Sequence, residues 1–300
     1  MDEAAAKYEE ILERFVQWAE DQESVRAAVV VGSRAHSEAD EWADLDIFVV
    51  TTDPERILSE NNWIEVTGDP VITFVEPMPH GEDMECRVLF KGGLDVDFAV
   101  FPFKKVQMLH QMVLQEKLDP EMTTALSNLF SRGIRIMLDK DDLTEMLEQA
   151  IEILGQPSPS PPLCEEFLNV INDFWYHAVW TAKHLRRGEL WWAKGCCDMH
   201  LKWLLRRMIE WHAQIKGRDT WFRGRFLEKW GDTRVIKELK NAFAHYDEGD
   251  IWRALFVTMD LFRWLAGETA EHLGYEYPAP ADEYATALVE ELFAHRSSRK

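Results

Sequence analysis

Residues 29–50 read VVVGSRAHSEADEWADLDIFVV, and they place Asp44 and Asp46 one residue apart at the head of an apolar run, eleven residues after the turn Gly32-Ser33. In a strand, residues i and i+2 share a face. If Asp44-Leu45-Asp46 is extended, both carboxylates point one way and Leu45 points into a core. A second run, Leu94-Asp-Val-Asp-Phe-Ala-Val-Phe101, repeats the arrangement with Asp95 and Asp97. Three or four carboxylates on one sheet face repel one another and lose hydration, so the pattern requires a positive partner. Magnesium carried by a nucleoside triphosphate meets that requirement, being a hard cation that takes oxygen ligands.

Composition narrows the setting. The chain has 300 residues, 46% hydrophobic and 29% charged, enough for a globular core and, by size, two domains. Its apolar runs are too short to span a bilayer. The start, MDEAAAKYEEILERF, is acidic and amphipathic, unlike a secretory signal. Cys86, Cys164, Cys196 and Cys197 have no zinc-like spacing, so reduced thiols and a cytoplasmic location are expected. The net charge of -21 is uneven: residues 1–155 hold 33 acidic and 13 basic residues, whereas residues 156–300 hold 21 and 20. An acidic half lacks the basic footprint that nucleic acid needs, and it attracts cationic small molecules. An ordinary solvated acidic surface gives the same count.

Periodicity suggests an α+β first half and an all-α second half. Residues 3–21 suit an amphipathic helix, and 26–31 and 46–51 suit strands. Asp53-Pro54 is a helix start, with Asp53 as N-cap. Strands are expected near 62–67, 71–75, 85–90 and 94–101, the last two joined at Gly92-Gly93. Helices are expected over 104–117, 121–138 and 141–154. The Pro-rich stretch 156–162 reads as a linker between residues 1–155 and 163–300. Beyond it, helices are expected over 163–187, 189–216, 219–230, 232–245, 248–273 and 280–296. Ten of the 13 tryptophans fall there.

Taken singly, Gly32-Ser33 is an ordinary turn. Backbone N–H groups and the Ser33 hydroxyl at the start of a helical turn would bind an anion. The signal gains force from Asp44 and Asp46 on the next strand. Asp97 sits between Val96 and Phe98, and a buried carboxylate costs several kcal/mol unless paired or metal-bound. It suits either a third metal ligand or a general base. Asp95 shares its face but lies nearer the turn, as an accessory acid. In the second half, Asp173 and Tyr176 are three apart and can share a ligand, whereas Trp175 reads as core. His177, His184, His200, His212 and His245 show no pair with metal spacing on a shared face and read as structural.

These motifs carry a resemblance. The segment GSR…DLD…DVDFAVFP resembles the polymerase-β-type nucleotidyltransferase signature. Asn172–Lys183, Arg187–Leu190, Trp203–Trp211, Ile251–Phe256, Leu261–Arg263 and Glu268–Pro278 resemble the bacterial aminoglycoside 6-adenylyltransferases, the streptomycin adenylyltransferases. The likeness runs over nearly the whole chain. It implies an N-terminal nucleotidyltransferase domain with a mixed β-sheet and flanking helices, and a C-terminal helical bundle. It also implies transfer of AMP from Mg-ATP to an aminoglycoside hydroxyl. By motif position, Gly32, Ser33 and Arg34 would meet the triphosphate, Asp44 and Asp46 would hold Mg²⁺, and Asp97 would be the third acid.

Where the family carries one aspartate before its third acid, this chain has two. Asp97 is adopted because DFAVFPF keeps the distance to the family's proline, with Asp95 left as an acceptor contact. The segment Ser37–Ala43 is short for the family. Lys183 first and Lys202 second, with Arg206 and Arg207, are the candidate cations for the pyrophosphate, and a solvated helix face is the competing and commoner reading for each. Asp173 and Tyr176 are expected at the acceptor, in a cleft between the two halves. A monomer or weak homodimer is expected, with no nucleic-acid or membrane partner. Two rival functions stay open: an orphan nucleotidyltransferase acting on another metabolite or a protein, and a non-catalytic nucleotide-binding module.

Overall fold

The computed structural model describes residues 3–35, 39–78, 83–131, 133–155 and 161–295. Most of the expected linker and part of the Ser37–Ala43 segment lie outside them. The chain divides into two compact units, residues 1–158 and 159–300. The fold is α+β, with a mixed six-stranded sheet in the first unit and helices in the second. Among the described residues, no helix is long and apolar enough to cross a membrane.

The sheet of the first unit comprises β1 (Val25–Val31), β2 (Leu45–Thr51), β3 (Pro70–Pro77), β4 (Met84–Phe90), β5 (Leu94–Pro102) and β6 (Ile134–Asp139). Their spatial order is β3-β4-β5-β2-β1-β6. β2 and β5 run parallel, and every other neighbouring pair is antiparallel. The Gly92-Gly93 turn joins β4 to β5 with both glycines at positive φ, 92° and 76°, a backbone that glycine adopts without a Cβ clash. Asp53 caps the helix Pro54–Ser59, its carboxylate accepting from the Arg56 N–H at 3.2 Å.

The helix Glu3–Glu20 buries Tyr8, Ile11, Leu12, Phe15 and Ala19, the i, i+3, i+4 stripe of a helix laid on a sheet. Phe15 meets Phe98 of β5 with ring centroids 5.0 Å apart, and Trp63 meets the same Phe98 edge-on at 4.8 Å. Trp63 corrects the sequence reading: residues 62–67 are a helix, Asn62–Thr67, not a strand. Its buried residues are Trp63 and Ile64 with Thr67 one turn later, and the Trp63 indole donates to the Ile57 carbonyl at 3.0 Å. The β-branched content of the segment obscured a helical spacing. Helix 121–138 is likewise corrected: it ends at Ser131, and Ile134–Asp139 is the edge strand β6. Gly133, at φ 93°, ends the helical run.

In the second unit, the helices Cys164–Arg187, Leu201–Ile215 and Glu248–Leu273 contribute most of one core. Phe174 and Phe262 stack face to face at 3.7 Å, both fully buried. The final helix, Ala279–Ala294, is fastened by buried Asp282, which accepts from Arg263 Nε at 2.7 Å and the Tyr277 hydroxyl at 2.7 Å. The expected continuous helix 189–216 is in fact Leu190–Gly195, a π-helical stretch Cys196–His200, and Leu201–Ile215. Residues 219–230 hold only a short 3₁₀ turn and the one-turn helix Leu227–Trp230.

Phe98 carries the aromatic cluster that seats β5, so Phe98→Ala should cost about 3–5 kcal/mol. Urea unfolding followed by tryptophan fluorescence checks this, since Trp18 and Trp63 report on the same cluster. A loss below 1 kcal/mol, in order-of-magnitude terms, would show that the cluster relaxes around the cavity.

Candidate active site

β1 delivers the chain to Gly32, whose φ of 75° is left-handed. A Cβ there would lie 3.0 Å from Asp46 Oδ2. Glycine is therefore required twice, by the backbone and by the neighbouring carboxylate. The 3₁₀ turn Gly32–Ala35 follows, and it draws Arg34 inward. The Arg34 guanidinium lies 3.6 Å over the Tyr8 ring, and its Nε donates to the Ala43 carbonyl at 2.7 Å. These contacts hold the segment that returns to β2 and so place Asp44 at its head. Arg34, expected at the triphosphate, is buried and engaged within the fold.

Asp46 stands opposite Val31 of β1 on one side and opposite Asp97 of β5 on the other. The parallel β2–β5 pairing thus sets two acids on adjacent strands at one level. Asp44, Asp46 and Asp97 each offer an oxygen, and these oxygens all lie within 4.8 Å of one another. The cluster is strained electrostatically. Burial, then repulsion from Asp44, Asp97 and Glu85, pushes the Asp46 carboxyl up to about 7. Burial pushes Asp97 up to about 6, with Arg87 pulling down and Glu85, Asp44 and Asp95 pushing up.

Sequence reasoning missed Glu85 and Arg87. The β4–β5 hairpin sets Arg87 directly opposite Asp97. Arg87 reaches Asp97 Oδ2 at 3.6 Å, Glu85 at 2.9 Å and Glu76 at 2.7 Å. One guanidinium shared among three carboxylates leaves the cluster in anionic excess. Counting back from a two-residue turn at Gly92-Gly93 would pair residue 88 with residue 97; the hairpin instead closes over Lys91-Gly92-Gly93, with Phe90 opposite Leu94, and this one-residue difference brings Arg87 to Asp97. An all-oxygen, multiply anionic donor set fits a hard divalent cation of the magnesium class.

The other expected residues divide between the units. Asp95 is exposed and stands apart from the three-acid cluster; it accepts from the Tyr8 hydroxyl at 2.9 Å, which ties it to the first helix. Ser33 is exposed beside Gly32. In the helical unit, Lys183 is exposed on the Cys164–Arg187 helix. Lys202 is a correction: it is enclosed, donating to the Cys197 carbonyl at 2.8 Å and Thr258 Oγ1 at 2.9 Å, and burial pushes its ammonium pKa down. Tyr176 is exposed. Asp173 accepts from His200 Nε2 at 2.9 Å and contacts His177 Nδ1 at 2.5 Å, so these two histidines are not isolated structural residues. Trp175 is core, as expected, its indole donating to the Tyr277 hydroxyl at 3.3 Å. An open basin of about 1060 Å³ in the first unit is lined by Arg26, Thr52, Asp53 and Asp141, among others. None of the clustered acids lines it, and Arg26 is paired there with Asp141.

The family model of streptomycin adenylyltransferases matches residues 6–292. An aminoglycoside 6-adenylyltransferase of Bacillus subtilis (strain 168) is 23% identical over 304 residues, covering 95% of this chain and 97% of that protein. One of Staphylococcus aureus is 24% identical over 280 residues, covering 90% and 93%. The crystal structure of an aminoglycoside 6-adenyltransferase from Bacillus subtilis is similar with a TM-score of 0.43 at 20% identity, covering 94% of this chain and 97% of that one.

The raised carboxyls make metal-free stability depend on pH. A carboxyl whose folded pKa exceeds its unfolded value binds protons more tightly when folded. Its contribution is complete below the unfolded value of about 3.8 and is lost as pH rises through about 6 for Asp97 and about 7 for Asp46. Asp46→Asn removes one such group and its repulsion on the others. In EDTA, the variant should therefore gain stability relative to wild type between pH 4 and pH 8. Paired urea titrations across that range check the slope, and a flat difference contradicts the assigned repulsion.

Proposed function

Because the chain belongs to the streptomycin adenylyltransferase family, we propose that it transfers AMP from magnesium-bound ATP to a hydroxyl of streptomycin. The family makes the chain an enzyme, a nucleotidyltransferase that transfers AMP to an aminoglycoside. The choice of magnesium-bound ATP rests on one observation above the others: the oxygens of Asp44, Asp46 and Asp97 converge beside a glycine whose Cβ would lie 3.0 Å from Asp46 Oδ2; the choice of streptomycin rests on the family alone.

In this reading Asp44 and Asp46 hold the cation, with Asp97 as a third oxygen donor. When bound, the cation supplies positive charge against the triphosphate and relieves the repulsion among the acids. Gly32 and Ser33 lie along the phosphates, where the bare backbone permits close approach. Asp97, poised near neutrality in the metal-free protein, accepts the proton of the attacking hydroxyl. The acceptor oxygen forms a bond to the α-phosphorus, the bond from that phosphorus to the departing pyrophosphate breaks, and the proton remains on the Asp97 carboxylate. Arg87 keeps Asp97 turned toward the cluster and restrains its pKa. Asp97 is preferred to Asp95 as the third acid because it stands level with Asp46 across the parallel strand pair, whereas Asp95 is held by Tyr8.

Pyrophosphate release with ATP, Mg²⁺ and a panel of aminoglycosides tests the proposal. Asp44→Asn and Asp46→Asn should each abolish release while far-UV circular dichroism is retained. Asp97→Asn should lower kcat by about 10²–10⁴-fold with little change in ATP affinity. Near-wild-type turnover in either of the first two variants removes the metal-ligand assignment. Asp95→Asn proving more damaging than Asp97→Asn reverses the choice of third acid. Streptomycin that neither binds nor supports release, while another acceptor does, removes the streptomycin assignment and leaves nucleotidyl transfer intact.

A further inference from the structure

A second convergence of ligating side chains lies wholly within the helical unit. Asp173 and His177 are four residues apart on the Cys164–Arg187 helix and so share a face. His200 comes from a different element, as the last residue of the π-helical stretch Cys196–His200. Such stretches occur disproportionately at functional sites. His177 Nδ1 lies 2.5 Å and His200 Nε2 2.9 Å from the same oxygen, Asp173 Oδ1. The two imidazole centroids are 4.1 Å apart. One ligand atom from each residue lies within 4.8 Å of those from the other two.

Hydrogen bonding alone would satisfy the Asp173 oxygen, which has lone pairs for both rings. Two imidazole nitrogens and one carboxylate oxygen are the set that zinc and its late first-row neighbours select, in contrast to the all-oxygen cluster at Asp44, Asp46 and Asp97. Ligand distances of about 2.0–2.1 Å in a tetrahedron put neighbouring donors about 3.3 Å apart. The observed 2.5 and 2.9 Å fall short by less than an ångström, within reach of small side-chain rotations. All three side chains are partly exposed, between 31% and 41%, so water can complete the shell.

We infer that Asp173, His177 and His200 form a three-ligand site for a divalent transition-metal ion of the zinc class, with the fourth position open to solvent. The site stands independently of the proposed transfer reaction. On binding, His177 Nδ1 and His200 Nε2 present lone pairs to the ion. Each ring then carries its proton on the far nitrogen, the form in which imidazole ligates a metal. The Asp173 carboxylate brings the one negative charge among the protein ligands.

The test uses the full-length protein, stripped with EDTA and freed of chelator. Zinc is titrated by calorimetry, and Co²⁺ substitution is followed by the visible absorption of a four-coordinate ion. Wild type should bind one equivalent of Zn²⁺ that excess Mg²⁺ does not displace, with a rise in Tm. The Asp46→Asn/Asp97→Asn double variant should keep that equivalent, which separates it from the acidic cluster. His177→Gln and His200→Gln should each lose it, together with the Zn²⁺-dependent rise in Tm, while far-UV circular dichroism is unchanged. If either histidine variant misfolds, Asp173→Asn, which keeps side-chain volume, gives the same readout. The inference is overturned if wild type takes up no equivalent, if the equivalent persists in all the folded ligand variants, or if it vanishes in the Asp46→Asn/Asp97→Asn protein.

Discussion

The parallel pairing of β2 with β5 brings Asp46 level with Asp97, and the arrangement around the site follows from that unfavourable juxtaposition. Two carboxylates withdrawn from water beside each other raise each other's proton affinity, and Asp44 and Glu85 add to the effect. A hydrophobic core cannot relieve this. The sheet tolerates it because the opposite faces of the same strands bury Ile47, Val96 and Phe98 against the first helix. Apolar burial on one face thus supports electrostatic tension on the other, a tension that a bound cation would relieve.

The surrounding residues are chosen to preserve that tension. Gly32 keeps a Cβ away from the Asp46 oxygen, and Arg34 fixes the returning segment without placing its charge among the acids. Arg87 is the cation that does approach, and it is divided among Glu76, Glu85 and Asp97. Partial neutralisation holds Asp97 in place without forming a closed ion pair. The helical unit solves a different problem with different donors: His177 and His200 meet one carboxylate, so charge density is low and nitrogen prevails. Two clusters with such unlike chemistry would sort hard from borderline ions by donor type alone.

The first cluster was legible because its geometry is local. Alternation fixes which residues of a strand share a face, so Asp44 with Asp46 and Asp95 with Asp97 could be paired from spacing, while the choice of Asp97 over Asp95 came from the resemblance in DFAVFPF. Arg87 was not legible in this way, because the hairpin loop takes in Lys91 as well as the two glycines and so shifts the register by one residue. The helix at 62–67 and the strand at 134–139 were not, because short apolar segments fit either period and tertiary packing decides between them. Lys202 illustrates another limit: charge suggests exposure, yet the helix turns this ammonium inward onto Cys197 and Thr258. The meeting of His177 with His200 depends on two helices packing and on a π-helical stretch, neither of which a one-dimensional pattern records.

The strand order carries a consequence for biosynthesis. A ribosome delivers β1 and β2 early, an antiparallel pair with two outer edges: the β1 edge destined for β6 and the β2 edge destined for β5. β5, its parallel partner, emerges only after two short helices and the strands β3 and β4. Through that interval the nascent chain presents an unpaired, β-branched edge, the kind of surface on which misassociation begins. Asp46, held at the head of that edge, is then still solvated and fully charged, and its charge discourages strand-on-strand pairing with other nascent chains. The acid that strains the finished sheet thereby guards the unfinished one.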